Sequence, residues 1–129
     1  IMEGVAYGTE YIFRTFREAG YAVSEIFACG GATRCRLWMQ IHSDVSGIPS
    51  QIPEVQDAPL LGSAILAAVA SGLHPNIREG AQKMVRIQDR ILPDRKNHET
   101  YQFFVDRYIE TYDRLSESMH KMAAERIPI

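Results

Sequence analysis

The residues that could do chemistry gather in one stretch, Ile26-Phe27-Ala28-Cys29-Gly30-Gly31-Ala32-Thr33, where an apolar run ends on two glycines. A helical pattern follows from Arg34 to Val45. Glycine carries no Cβ, so a base, ribose or phosphate can lie against its main chain. The start of the next helix adds free N–H groups and the positive end of a dipole. This order suits nucleotide binding, and it also serves as a plain tight turn in many αβ proteins.

Elsewhere the chain offers no catalytic machinery. There is no GxxxxGK[ST], which excludes a P-loop. Gly30-Gly31 lacks the third glycine of a dinucleotide fingerprint, and no acidic residue stands at the expected distance. No two of His42, His74, His98 and His120 are three or four residues apart. His42 and Asp44, two apart on a helix, point to different sides. There is no nucleophile elbow, and neither Cys29 nor Cys35 has a base beside it in sequence. The cysteine spacing is not that of a zinc site, and two reduced thiols are expected. Asp44, Glu25 and Asp57 read as solvent-facing or capping residues. The chain therefore reads as a nucleotide-binding piece of a larger enzyme, with no catalytic residue and no metal site of its own.

The bulk composition agrees. With 129 residues, 46% hydrophobic and 23% charged, the chain suits one globular domain with a moderate core. A formal charge of -2, with scattered Lys and Arg, gives no case for nucleic acid or an anionic membrane. The longest apolar run, Ala64 to Ala70, is far shorter than a membrane span. The first residues carry no secretory pattern, and an initial Ile leads us to expect further residues upstream.

Several elements must position the diglycine stretch. Glu3 to Ala19 reads as a helix stopped by Gly20, with a Gly4-x-x-x-Gly8 spacing that suits close packing. Val23 to Cys29 reads as a strand, and its apolar end suggests cover on both faces. Leu37, Trp38, Ile41 and Val45 recur at helical spacing before Gly47. Ile48 to Pro53 is a short extended segment whose prolines predict an edge or a strand end. Together these make a right-handed strand-helix-strand unit with parallel strands. Asp57 is a plausible cap for a helix of small residues from Leu60 to Ser71, with Pro59 in its first turn. Asn76 with Glu79 predicts a capping box for a helix to about Val85. Arg86 to Pro93 reads as irregular. A last helix from about Asn97 to Ala124 carries Tyr101, Val105, Tyr108, Tyr112, Leu115, Met119 and Met122 as a heptad seam. That seam is expected to pack on its own domain, with a partner helix as the other option.

This sequence of pieces resembles the C-terminal region of the FGGY-family carbohydrate kinases, most of all the ribulokinase and xylulokinase type. The resemblance is collinear through Glu3-Gly4, Gly30-Gly31, Trp38-x-Gln40-Ile41-x-x-Asp44, Gly47-x-Pro49 and Gly62-Ser63-Ala64-x-x-Ala67-Ala68. It implies an α/β fold, part of an actin/hexokinase-like (ribonuclease H-like) domain, with a few parallel strands, several helices and a long C-terminal helix. Residues 1–129 would be one incomplete domain, the C-terminal part of the nucleotide-binding domain. The activity implied is transfer of the ATP γ-phosphate to a hydroxyl of a sugar, a pentulose or polyol, in the cytoplasm. ATP and Mg2+ are the implied cofactors of the complete enzyme.

The resemblance also implies site roles. Gly30 and Gly31 would lie against the nucleotide, and Ala32 would be the small residue that follows the pair. Cys35 stands where a polar side chain, often Ser or Asn, helps hold adenine; a thiol is a weaker hydrogen-bonding group. Arg34 stands where a basic residue is frequent, and the helix from Ala58 to Gly72 would back the adenine pocket. The general-base aspartate and the sugar-reading residues belong to an upstream part, so no turnover is expected from this chain alone. The expected partners are the sugar or polyol through the other lobe, and either a second copy or the remainder of the kinase. The alternative is a non-enzymatic helical interaction module that pairs through the C-terminal seam.

Overall fold

The computed structural model of the protein describes residues 1–125. Its centre is a three-stranded sheet, β1 (Ile26–Phe27), β2 (Ser50–Pro53) and β3 (Ile87–Ile91), in the order β1-β2-β3. β1 and β2 are parallel and joined by α2 (Arg36–Ser46), as the strand-helix-strand pattern predicts. α2 ends at Gly47, whose φ of 70° favours glycine, and whose N–H donates to the Ser43 carbonyl at 2.9 Å. A Cβ at Gly47 would also stand only 2.8 Å from the His98 ring.

Three expectations need correction. The segment read as irregular holds β3, antiparallel to β2 with Ser50 opposite Ile91. Only Ile91 of β3 is buried, so its sequence lacks the apolar alternation that marks a strand. Of the two readings that the prolines of Ile48 to Pro53 allowed, the edge fails, since β2 is central, and the strand end holds: Pro53 ends the strand, where the register slips after Ile52. The third concerns β1, which is two residues long, shorter than the seven from Val23 to Cys29. It is covered on one face only. Ile26 and Ala28 face α2, whereas Phe27 on the opposite face is 58% exposed.

The covered face carries α1 (Met2–Glu18), α2 and α5 (Arg95–Ala124). Ala6, Ile41, Val45 and Val105 form one buried cluster between these helices. Met39, Ile52 and Ile91 form a second between α2 and the sheet. The first half of the heptad seam packs on α1, as expected: Tyr7 lies 6.1 Å from both Tyr101 and Tyr108, and Tyr11 lies 5.7 Å from Tyr112. A Cβ at Gly8 would come within 3.2 Å of the Tyr108 hydroxyl, the close packing its spacing suggests. The second half is different. α5 has 30 residues and α1 has 17, so α5 outruns its neighbour and leaves Leu115, Met119 and Met122 exposed.

Polar contacts lock the same side. Asp44, read as solvent-facing or capping, is buried instead. Its carboxylate accepts from Gln40 Nε2 at 2.7 Å, the Asp94 N–H at 2.7 Å and Asn97 Nδ2 at 2.9 Å. Arg36 pairs with Asp89, and Gln40 Nε2 also donates to the Leu92 carbonyl at 2.9 Å. Residues 36, 40 and 44 share one helix face, so α2 is stitched along its length to β3 and to the start of α5. Glu10, also buried, accepts from Arg14 and Arg17, and Arg14 reaches on to Asp106 at 2.7 Å and Gln102 at 2.9 Å.

The other face carries α3 (Ala58–Ala70) and α4 (Ile77–Met84), which pack on each other. Both start as predicted. Asp57 Oδ1 accepts the Leu60 N–H at 3.1 Å, and Asn76 Oδ1 accepts the Glu79 N–H at 2.9 Å. Ile65 and Ala68 are buried, while Leu60, Leu66, Leu73 and Ile77 are exposed. Among the described residues no helix is long and apolar enough to cross a membrane.

Candidate functional site

β1 delivers the chain to a corner held by three backbone ties. The Ala28 N–H donates to the Gln51 carbonyl at 2.9 Å, fixing the strand end to β2. The Gly30 N–H donates to the Gln56 carbonyl at 2.8 Å, fixing the corner to the loop after β2. The Gly30 carbonyl then accepts both the Thr33 N–H at 3.2 Å and the Thr33 hydroxyl at 2.7 Å. That i to i+3 closure makes residues Gly31–Arg34 a single 3-10 turn, so α2 starts at Arg36 rather than at the expected Arg34.

The two glycines differ in what demands them. Gly30 has a φ of 83°, so its backbone itself favours glycine. Gly31 is not in that left-handed region, and a Cβ built on it would meet nothing within 4 Å. Neither conformation nor packing within the described chain calls for glycine there. What Gly31 leaves is open space above its main chain.

That space is part of a cavity of about 360 Å³ between the corner and the start of α3. Its walls include Cys29, Gly30, Gly31, Arg34, Gln56 and Asp57. Of the residues expected at the site, Gly30 and Gly31 are thus brought together on one wall. Ala32 lines a neighbouring cavity of about 170 Å³ between α1, β1 and α2, with Trp38 and His42. Cys35 is exposed, stands at the N-cap position of α2 and is not on the wall of the larger cavity. The wall also includes Gln56, which nothing local in the sequence marks. It arrives there through its carbonyl bond to Gly30, from the far side of the strand-helix-strand unit.

The surroundings set the electrostatics. Arg34 forms no ion pair among the described residues, and the wall carries its guanidinium together with the Asp57 carboxylate. One Asp57 oxygen is engaged in capping α3. In the neighbouring cavity, burial pushes the His42 imidazole below its ordinary pKa, its Nε2 has no partner among the described residues, and its ring lies 5.0 Å from Trp38. A third cavity of about 320 Å³ is apolar, walled by Phe27, Val55, Leu61 and Ile65 beneath α3. Among the described residues no group of three His, Cys, Asp or Glu is placed to hold a metal ion.

The larger cavity lies beyond the carboxyl ends of two parallel strands, where open α/β sheets receive their ligands. Fold and site together define an α/β domain with a candidate ligand cavity at its strand ends. The chain belongs to the FGGY family of carbohydrate kinases, whose C-terminal domain matches residues 1–71. It is 34% identical over 123 residues to an FGGY carbohydrate kinase domain-containing protein of Xenopus laevis, covering 95% of this chain and 22% of the relative. It is 38% identical over 89 residues to the autoinducer-2 kinase of Escherichia coli strain K12, covering 69% of this chain and 17% of that protein. A crystal structure of xylulose kinase from Rhodospirillum rubrum superposes with a TM-score of 0.76 at 28% identity, over 92% of this chain and 24% of that one.

The fold is accordingly that of the actin/hexokinase-like sugar kinases, as the resemblance implied, and a purely helical interaction module is not favoured. The chain spans about a fifth of the length of the curated relatives it matches.

Proposed function

We propose that residues 1–129 form the C-terminal part of the nucleotide-binding domain of a cytoplasmic carbohydrate kinase, and that the corner cavity takes the adenosine end of ATP. The observation that carries this reading is Gly31, a glycine that neither backbone nor packing requires, set on the wall of a cavity at the strand ends. Gly30 and Gly31 present main chain to the nucleotide, and Ala32 keeps the turn thin. Cys35 contributes at most a weak thiol contact from the N-cap of α2. Arg34 supplies positive charge at the rim for the phosphates.

The remainder of the kinase supplies the sugar or polyol site and the base that accepts the proton of the attacking hydroxyl. Phosphoryl transfer of this kind rests on positioning and charge stabilisation, which this stretch of chain serves only at the adenosine end. Mg2+ would come with the nucleotide phosphates. The free edge of β1 and the exposed Phe27, Leu60 and Leu66 are surfaces for the remainder of the kinase to cover, and for self-association without it.

Thermal unfolding with and without ATP tests the reading. ATP at a hundredfold its Kd is expected to stabilise the chain by about 2.7 kcal/mol. Gly31→Leu should keep the unliganded melting temperature, because the new side chain meets open space, yet lose the ATP response. An undiminished response in Gly31→Leu would overturn the proposal. Pentuloses and polyols mixed with ATP and this chain alone should yield no phosphorylated product.

A further inference from the structure

We infer that Gln56 reads the base of the bound nucleotide and selects a 6-aminopurine over a 6-oxopurine. The inference rests on the nucleotide reading above and deepens it. Gln56 is held against the corner by its own carbonyl, which accepts the Gly30 N–H at 2.8 Å. Its half-buried side chain lines the cavity and makes no hydrogen bond among the described residues.

The other polar groups of the wall are committed or one-sided. The Gly30 N–H and carbonyl are engaged by Gln56 and Thr33. Asp57 holds the first turn of α3 through Oδ1 and can only accept. Arg34 can only donate, and the Cys29 thiol is weak in both senses. Among the side chains of the wall, Gln56 alone offers a strong donor and a strong acceptor side by side.

That pair is complementary to the edge on which adenine presents its 6-amino group beside N7. The carboxamide oxygen accepts from the 6-amino group of adenine while the carboxamide nitrogen donates to N7. Hypoxanthine and guanine carry an oxygen at position 6, so the carboxamide oxygen faces another acceptor and one bond is lost. Glycine at position 31 complements this arrangement, because a base held by Gln56 needs the space beside the main chain.

The test compares ADP with inosine diphosphate by titration calorimetry on this chain, since the two share ribose and phosphates. ADP is expected to bind about tenfold more tightly. Gln56→Met, which keeps length without hydrogen-bonding capacity, should weaken ADP to within about twofold of inosine diphosphate, and should weaken the latter less, since it has only the N7 bond to lose. Its circular dichroism and unliganded melting temperature should match the parent chain. Equal binding of the two diphosphates by the parent chain, or a preference that survives in Gln56→Met, overturns the role of Gln56 and leaves the nucleotide reading standing. Failure of both diphosphates to bind the parent chain overturns both readings.

Discussion

The two faces of one small sheet are built on different terms. Against Ile26, Ala28 and Ile52 lie α1, α2 and α5, with Val45 and Val105 wholly buried and the Asp44 carboxylate meeting three donors. Opposite Phe27 and Val55 stands α3 across an apolar cavity, with α4 packed on α3 and leucines facing outward. The first face is complete within this chain. The second has the composition of a core without the cover of one, and the corner cavity opens at its rim. Stability and binding are thereby separated: one face holds the strands still, and the other leaves their ends accessible.

The largest expected break in this contrast comes at Asp44. Asp44→Ala strands the Asp94 N–H and the Gln40 and Asn97 amides in a buried place, and should destabilise by about 3 kcal/mol in urea unfolding. A smaller effect follows from Tyr101 on the same face. Burial, with a further push from the hydrogen-bonded Glu3 carboxylate, raises its pKa to about 12 from 10.0. The folded chain therefore keeps a proton that the unfolded chain releases, and stability should fall as pH rises from about 10 to about 12. Tyr101→Phe should flatten that part of the pH profile. The smallest effect belongs to the open face. Leu66→Gln, at a position 56% exposed, should change stability by no more than about 0.5 kcal/mol while reducing self-association in sedimentation velocity.

Legibility in the sequence followed the distance over which each feature is specified. The Asp57 and Asn76 caps, the spans of α1 to α5 and the diglycine corner rest on neighbours a few residues away, and all were readable. Asp44 was not, because the groups that bury it, Asp94 and Asn97, lie 50 and 53 residues further on. β3 escaped notice for the same reason: its polar Gln88, Asp89 and Arg90 resemble a loop, and only pairing with β2 and the Arg36 contact make it a strand. At the candidate site the corner was visible, and Gln56 was not, since its place depends on a backbone bond back to Gly30.

The most direct test is an amide-resolved ATP titration of the 15N-labelled chain. The resonances of Gly30, Gly31, Arg34 and Gln56 should shift in a saturable way, while those of Ala6, Val45 and Val105 stay in place. Saturable shifts centred on α5 with a silent diglycine corner would contradict the assignment of nucleotide binding to that corner.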